Sequence, residues 1–348
     1  MKELRCLFLG FGNAARAFLR ILADRESDLA CTYGARLMIV GIATRRMGRC
    51  LFPAGVTPRA LHEHLAATGD FPDFVAFDGD SAEFVSRCPA DVAFEMTPLN
   101  VASGEPAVSH VRAALASGKH AISANKGPLI FGFRRTRELA KEAGRRFLYE
   151  TTVMDGAPVF NLVERCLPGC KVLGFTGVLN STTNYILDRM AEGAEFEEAL
   201  RTAQECGFAE ADASLDIEGW DSACKTAALM NVWMDAEVSP AEVRREGISG
   251  VDARTVRDLR SRGISLRLVC RASMLGGRPV GEVVLLEVPE YSQLAQVKGT
   301  SSLLTIRTDL MGDITLTEHD PAIQQTGYGL YSDLLRLLTE GAKNRTGR

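Results

Sequence analysis

The chain has 348 residues and a formal net charge of −4, and 46% of its residues are hydrophobic. This length allows two domains with separate cores, and the slight negative charge gives no electrostatic basis for binding nucleic acid or an anionic membrane surface. No apolar stretch approaches the roughly 20 residues that a membrane-spanning helix needs, so we expect a cytoplasmic protein with no membrane partner.

The nine cysteines agree with a reducing compartment. They are scattered and odd in number, which argues against a disulfide framework. The one close pair, Cys166 and Cys170, has no second pair or nearby histidine, so we do not expect a zinc site.

The first 150 residues alternate apolar runs with amphipathic segments. The runs 4–9, 37–42, 92–96, 121–124 and 147–149 predict buried strands, and the segments 13–24, 57–68, 104–117 and 134–144 predict helices. Such alternation predicts an α/β domain in which helices cover a parallel sheet.

A glycine-rich turn follows the first predicted strand. Its sequence has the GxGxxA form of a Rossmann-type dinucleotide-binding loop, in the residues Gly10, Phe11, Gly12, Asn13, Ala14 and Ala15. The glycines allow a tight turn and close approach of a pyrophosphate, a small residue at 15 lets helix and strand pack, and the helix N-terminus offers N–H groups. The alternative is an ordinary glycine turn, but the strand before it and the helix after it favour the dinucleotide site.

Two arginines follow the second predicted strand. The segment reads Ala43, Thr44, Arg45, Arg46, where an NAD-preferring site carries an acidic residue for the ribose 2′-hydroxyl. Guanidinium groups suit a 2′-phosphate, so we expect NADP as the cofactor, with NAD left open. The alternative is that one or both arginines are solvated loop cations.

The second half mixes helices and strands in an α+β pattern. An apolar strand at 172–180 leads into a helix that Ser181, Thr182 or Thr183 is expected to cap. Helices are predicted at 196–206 and 219–234, strands near 265–271, 278–287 and 302–308, and a final amphipathic helix at about 322–340.

Acidic residues crowd into residues 207–225 and end at Lys225. On a helix beginning near Gly219, Glu218, Asp221 and Lys225 share one face. Carboxylates hold an ammonium and a lysine exchanges a proton with a hydroxyl or carbonyl, so the pattern suits an amine-bearing substrate. The alternative is a solvated surface ion pair of little energetic weight.

Polar residues also follow two further strands of the predicted parallel sheet, at the edge where such sheets bind ligands. Glu95, Thr97, Pro98 and Asn100 come after one strand, and Ser123, Asn125 and Lys126 after the next. Among them we predict cofactor contacts at Thr97, Pro98, Ser123, Asn125 and Lys126, in addition to the glycine loop, Thr44, Arg45 and Arg46.

These motifs together resemble homoserine dehydrogenases of the short form, which lack a regulatory domain. The resemblance runs through GFGNAA, VAFEMTPL, SANKGPL, GVLNSTTNYIL and GFAEADASLDIEGWDSACK. It implies NAD(P)-dependent interconversion of L-homoserine and L-aspartate 4-semialdehyde, in threonine and methionine biosynthesis, by a homodimer. It also implies a dinucleotide-binding domain at 1–149, completed by a C-terminal helix at about 322–348, and a substrate-binding and dimerisation domain at 150–321.

The resemblance assigns roles to individual residues. Lys225 is expected to donate a proton to the aldehyde oxygen, with Lys126 as a second catalytic cation. Glu210 is expected on the substrate ammonium, with Asp216 and Asp221 around the substrate and Gly207 opening the same loop.

The resemblance also implies a monovalent cation, Na⁺ or K⁺, at Glu150, Val153, Asp155 and Ala157. Met154 and Asp155 replace the small residues usual in many members, and the family's GAG turn before the final helix is represented only by residues 324–329, QQTGYG.

Two other functions stay open at the level of sequence. One is a different amino-acid or semialdehyde oxidoreductase on the same scaffold. The other is a catalytically silent NADP-binding sensor, because a fold alone does not fix function.

Overall fold

The chain folds into two compact units. The first comprises residues 1–160 together with the chain from Ala322 onward, and the second comprises Asn161–Pro321. The structure, a computed structural model, describes residues 1–346 and the side chains of residues 1–340. The predicted C-terminal helix extends to 348, and its last two positions lie outside the described residues.

Seven described strands of the first unit form one sheet in the order β4-β3-β2-β1-β5-β6-β7. The strands are β1 (Lys2–Leu9), β2 (Ala35–Thr44), β3 (Gly48–Val56), β4 (Val75–Ala76), β5 (Val92–Glu95), β6 (His120–Ser123) and β7 (Phe147–Leu148). Strands β2, β1, β5, β6 and β7 run parallel, while β3 and β4 extend the sheet in antiparallel fashion. The carboxyl ends of the parallel strands therefore share one edge.

Helices cover both faces of this sheet. They are α1 (Asn13–Asp24), α2 (Glu26–Tyr33), α3 (Pro58–Thr68), α4 (Ser81–Arg87), α5 (Ala107–Ala116), α6 (Gly127–Ile130) and α7 (Phe133–Glu142). Alternate residues of β1 enter two hydrophobic clusters: Cys6 and Phe8 join one, and Leu7 and Leu9 the other. A strand buried on both faces explains the unbroken apolar run of β1.

The second unit has a six-stranded sheet within the described residues, in the order β13-β12-β8-β10-β11-β9. Its strands are β8 (Val172–Val178), β9 (Arg244–Arg245), β10 (Ile264–Leu275), β11 (Arg278–Pro289), β12 (Ser302–Thr308) and β13 (Asp313–Glu318). All neighbours pair antiparallel except β9 and β11.

The helices of the second half follow in chain order. They are α8 (Val159–Asn161), where the division between the units falls, then α9 (Ser181–Ala191), α10 (Phe196–Glu205), α11 (Ser214–Ile217), α12 (Trp220–Met234), α13 (Ala253–Ser261), α14 (Gln293–Gln296) and α15 (Ile323–Thr346). Helix α15 belongs to the first unit and packs on α1, where a Cβ at Gly327 would stand 2.9 Å from the backbone of Ala17. No helix in the described part of the chain is long and apolar enough to cross a membrane.

The predicted fold class is confirmed: a parallel-sheet α/β unit and a second α+β unit. Sequence periodicity missed α2, α4, α13, β3 and β13, and also the short elements α6, α8, α11, α14, β4 and β9. Strand β13 alternates exposed and half-buried residues and α2 buries only Leu29, so neither carries a strong apolar pattern.

Candidate functional site

The glycine loop after β1 has the geometry of a phosphate cradle. Gly10 has φ of +90°, and a Cβ there would stand 2.5 Å from the carbonyl oxygen of Met96, so only glycine fits. A Cβ at Gly12 would meet nothing within 4 Å, and no side chain caps the N-terminus of α1. The first N–H groups of that helix, at Asn13 and Ala14, have no partners within the helix, as at any helix N-terminus. Ala15 is buried, as expected for the small residue that packs helix on strand.

Hydrogen bonds of the Asn125 side chain connect the loops that follow β5 and β6. Its Nδ2 donates to the carbonyl oxygens of Thr97 (2.8 Å) and Pro98 (3.2 Å), and its Oδ1 accepts from the Gly127 N–H at 2.8 Å. The Ser123 hydroxyl donates to the Asn125 carbonyl at 2.9 Å. Ser123 and Asn125 are buried, so they shape the loops from within.

Glu95 has a different environment from the one its position at the sheet edge suggests. Its carboxylate is buried and accepts from the Thr97 N–H at 2.8 Å and from the Thr97 hydroxyl. The other oxygen lies 2.7 Å from Nδ1 of buried His110. Glu95 therefore holds the loop carrying Thr97. Lys126 is half-buried and precedes the first turn of α6.

A cavity of about 330 Å³ opens beside the glycine loop at the end of β2. Thr44 and Arg46 line it, as does Arg16 from the first turn of α1, but Arg45 does not. Sequence reasoning missed Arg16 because it treated this residue as part of the helix alone. The available signal was its place directly after Ala15, on the exposed side of the cofactor helix.

In the segment expected to hold a cation, Glu150 and Val153 are buried, and Asp155 and Ala157 are half-buried. Glu150 Oε1 accepts from the Phe160 N–H at 2.7 Å. Met154 and Asp155 both have left-handed backbone conformations, with φ of 57° and 46°. Such conformations cost non-glycine residues energy and cluster at functional sites. No group of three or more His, Cys, Asp or Glu side chains suited to a metal occurs in the described part of the chain, so a cation here depends on backbone carbonyls.

The unusual segment 324–329 lies in the first turns of α15, not before the final helix as expected, and it packs against this same region. The Thr326 hydroxyl donates to Asp155 Oδ1 at 2.7 Å, and a Cβ at Gly329 would stand 2.6 Å from Cβ of Thr151. A Cβ at Gly156 would stand 2.5 Å from the Gln325 carbonyl oxygen. Close approach of the Gln325 backbone therefore requires glycine at position 156, and close approach of Thr151 requires it at position 329.

In the second unit, three residues that the resemblance implies for the site, Lys225, Asp216 and Asp221, form one cluster with Asn180, which was not predicted. Lys225 Nζ lies 2.9 Å from Asp221 Oδ2 and donates to the Leu179 carbonyl oxygen at 2.5 Å. Asn180 Nδ2 donates to Asp216 (2.6 Å) and Asp221 (3.1 Å). Asn180 also caps α9, because its Oδ1 accepts from the Thr183 N–H at 2.9 Å. The expectation that Ser181, Thr182 or Thr183 caps this helix is therefore wrong.

The electrostatics of the cluster favour a cationic ligand. The side chains of Lys225 and Asp221 are only 17% and 21% exposed, which rules out the solvated surface pair. Two carboxylates face one lysine, so one negative charge is in excess. Burial, and then the charge of Asp221, raise the pKa of Asp216 above its ordinary value.

Glu210 and Gly207 lie on the exposed loop between α10 and α11. The Glu210 carbonyl accepts from Gln204 Nε2 at 3.3 Å. Across the side chains that the structure describes, no hydrogen bond or ion pair joins the Glu210 carboxylate to Asp216, Asp221 or Lys225. Asp212 instead bonds the N–H of Ser214 at 3.1 Å, at the start of α11.

Comparison with known proteins identifies the family. The family model described as homoserine dehydrogenase matches residues 158–335, and that described as homoserine dehydrogenase, NAD binding domain, matches residues 10–150. The chain belongs to the homoserine dehydrogenase family. The homoserine dehydrogenase of Methanocaldococcus jannaschii is 31% identical over 97% of this chain and 99% of its own length.

Two further homoserine dehydrogenases bear on the cofactor. An NAD(+)-dependent homoserine dehydrogenase of Pseudomonas canavaninivorans is 29% identical over 97% of both chains. A solved hyperthermophilic archaeal homoserine dehydrogenase in complex with NADPH superposes with a TM-score of 0.79 at 25% identity, covering 96% of this chain and 97% of that one. As a homoserine dehydrogenase, the chain is an oxidoreductase that uses a nicotinamide cofactor.

Proposed function

We propose that the cluster around Lys225 is the site at which this homoserine dehydrogenase interconverts L-homoserine and L-aspartate 4-semialdehyde, the step that serves threonine and methionine biosynthesis. The observation that carries the proposal is the cluster of Asn180, Asp216, Asp221 and Lys225. It combines an excess negative charge, suited to the ammonium of an amino acid, with a lysine able to transfer a proton.

In the proposed mechanism Lys225 protonates the aldehyde oxygen during reduction and accepts that proton during oxidation. Negative charge grows on this oxygen as the carbonyl is reduced, so a lysine that donates to it stabilises the charge and supplies the proton. Lys126 is proposed as a second cation acting on the substrate.

The carboxylates hold the amino-acid end of the substrate. Asp216 and Asp221 accept hydrogen bonds from its ammonium, and Glu210 is proposed to join them from the loop that begins at Gly207. Asn180 keeps the two aspartates in place through its Nδ2.

The first unit, completed by α15, is proposed to bind the cofactor, which supplies or accepts the hydride when bound. Gly10, Gly12, Asn13, Ala14 and Ala15 cradle its pyrophosphate. The loops of Thr97, Pro98, Ser123, Asn125 and Lys126 are proposed to position the rest. Arg46 and Arg16 favour NADP through its 2′-phosphate, since both line the cavity beside Thr44. Arg45 is proposed to contribute to the preference for NADP only from outside that cavity.

A monovalent cation, Na⁺ or K⁺, is proposed at Glu150 and the backbone carbonyls of Val153, Asp155 and Ala157. The buried carboxylate and the consecutive left-handed residues Met154 and Asp155 support it. Homoserine turnover in buffers that hold only a bulky organic cation should fall and be restored by K⁺ or Na⁺.

The second unit is proposed to bind the substrate and to form a homodimer in the cytoplasm. Exposed apolar side chains at one end of β10 and β11, including Leu275 (70% exposed) and Val280 (48%), support an interface there. Sedimentation velocity should give twice the mass of the chain.

The reverse reaction tests the function. Purified protein supplied with NADPH and aspartate 4-semialdehyde should oxidise the cofactor and yield homoserine, identified by mass spectrometry after derivatisation of its amine. Cofactor oxidation with another semialdehyde alone would favour a different oxidoreductase on this scaffold. Binding of NADPH without turnover of any semialdehyde would favour a silent sensor.

A further inference from the structure

A carboxylate shares the cavity at the end of β2 with the two arginines. Asp70 lines that cavity together with Arg16 and Arg46. One Asp70 oxygen accepts the N–H of Phe71 at 2.9 Å. Among the described side chains, no ion pair joins Asp70 to Arg16 or Arg46, and neither guanidinium has another carboxylate partner. All three charges are therefore available to a ligand.

The fold holds Asp70 beside the glycine loop. Gly69 caps the C-terminus of α3, and its left-handed φ of +76° reverses the chain direction. The Thr68 hydroxyl accepts from the Asp70 N–H at 3.2 Å. The ring of Phe71 packs edge-on against that of Phe11 in the glycine loop, with centroids 5.1 Å apart. The Arg16 guanidinium lies over the ring of Phe11, 5.3 Å from its centroid.

We infer that Asp70 is a specificity-determining residue for the adenosine ribose of the cofactor. This inference rests on the proposed dinucleotide site. A carboxylate accepts a hydrogen bond from a ribose 2′-hydroxyl and repels a 2′-phosphate, whereas a guanidinium does the opposite. Asp70 therefore takes the role of the acidic residue that is absent after β2, but from the loop after α3. Its effect on cofactor preference is opposite to that of Arg16 and Arg46.

The cofactor preference then becomes a balance rather than a property of the arginines alone. The arginines attract the 2′-phosphate of NADP, while the carboxylate of Asp70 accepts a hydrogen bond from the 2′-hydroxyl of NAD. Removing the Asp70 charge should shift the balance toward 2′-phosphorylated ligands, and removing the Arg46 charge should shift it the other way.

The experiment measures binding of two small probes that differ only in the 2′-phosphate: adenosine 2′,5′-bisphosphate and adenosine 5′-monophosphate. Isothermal titration calorimetry on the full chain gives the ratio of their dissociation constants. The variants are Asp70→Asn, Asp70→Ser and Arg46→Gln. The matched control is Asp73→Asn, which removes an exposed carboxylate three residues away that does not line the cavity.

Asp70→Asn and Asp70→Ser should each shift the ratio about fivefold toward the bisphosphate, as expected for one charge interaction near the surface. Arg46→Gln should shift it the opposite way, and Asp73→Asn should match the wild type. An unchanged ratio of dissociation constants in both Asp70 variants overturns the inference. An equal shift of that ratio in Asp73→Asn, or failure of the wild type to bind either probe, overturns it as well. Because neither probe reacts, absence of homoserine turnover alongside the expected binding shifts would count against the proposed reaction and leave the role of Asp70 standing.

Discussion

Asn180 shows how one side chain organises a site. Its Oδ1 caps the N-terminus of α9, while its Nδ2 donates hydrogen bonds to both Asp216 and Asp221. The amide is the neutral group that lets two carboxylates lie near each other, because it donates to both. The same residue thereby links the start of a helix to the placement of two carboxylates that we propose bind the substrate.

Replacement of Asn180 separates these two roles. Asn180→Asp keeps a capping acceptor but loses the donor and adds a third carboxylate, so it should lower the free energy of unfolding by about 1–3 kcal/mol at neutral pH. Mutual repulsion raises the folded-state pKa of these acids, so the loss should shrink as the pH falls toward the ordinary pKa of aspartate. Asn180→Ser keeps the cap without the charge and is the control. Urea unfolding measures both, and identical pH dependence in the two variants would contradict the interpretation.

Lys225 is the residue on which the proposed chemistry depends. Lys225→Met should lower turnover about 100- to 10,000-fold, the usual contribution of a positioned acid or base. Affinity for NADPH, followed by nicotinamide fluorescence, should stay near that of the wild type. Lys141→Met, on the exposed side of α7, is the control. A large loss of NADPH affinity together with the loss of turnover would show that Lys225 belongs to the cofactor site and not to the substrate site.

At the scale of elements, the parallel sheet gathers the cofactor loops. Strands β2, β1, β5 and β6 are neighbours, so the loops after them meet at one edge. The first loop is fixed by backbone contact with the next, since Gly10 touches the backbone of Met96. The glycines of this loop therefore serve different purposes.

Gly10→Ala and Gly12→Ala should separate folding from binding. Alanine at position 10 meets backbone at 2.5 Å and has an unfavourable φ, so it should cost about 2 kcal/mol of stability or more. Alanine at position 12 has open space and should cost at most about 1 kcal/mol, while NADPH affinity falls at least about tenfold through a lost close approach. Thermal unfolding and fluorescence titration give the two quantities. Unchanged NADPH affinity in Gly12→Ala would argue against the pyrophosphate cradle.

His120, which begins β6, gives the first unit a pH dependence. Burial, followed by the charges of Arg145, Lys2 and Arg146, lowers its pKa from 6.5 to about 4. Between these values the unfolded chain binds a proton that the folded chain does not. The stabilising contribution of neutral His120 is therefore complete above pH 6.5 and is lost as the pH falls toward 4.

His120→Gln should flatten the fall in unfolding free energy between pH 6.5 and 4. Its amide oxygen can still accept from the Arg146 N–H, as Nδ1 of His120 does at 3.0 Å. Urea unfolding at stepped pH measures the slope, with exposed His319→Gln as the control. An equal slope in wild type and His120→Gln would show that His120 titrates alike in both states.

Local patterns made much of this fold predictable. GFGNAA between an apolar strand and an amphipathic helix fixes the first turn of a dinucleotide unit, and spacing alone placed Asp221 and Lys225 one turn apart. Two relations that the sequence did not reveal depend on contacts distant in sequence. The entry of Asp70 into the cavity of Arg46 depends on the turn after α3, and the burial of Glu95 depends on His110, fifteen residues later. Neither relation has a signature in the spacing of residues.

At the scale of the whole molecule, a fold of the homoserine dehydrogenase family carries a dinucleotide cradle in one unit and an acidic cluster with a lysine in the other. Each feature alone is compatible with several functions. Their combination in one chain agrees with the activity of the homoserine dehydrogenase family, to which the chain belongs.

The measurement that tests this most directly is the homoserine-dependent reduction of NADP and NAD at alkaline pH, followed at the absorbance band of the reduced nicotinamide. The wild type should reduce NADP, and NAD more slowly, only when L-homoserine is present. Lys225→Met should leave the absorbance flat. Absence of reduction with either cofactor, from protein that binds NADPH and is folded, would contradict the proposed function.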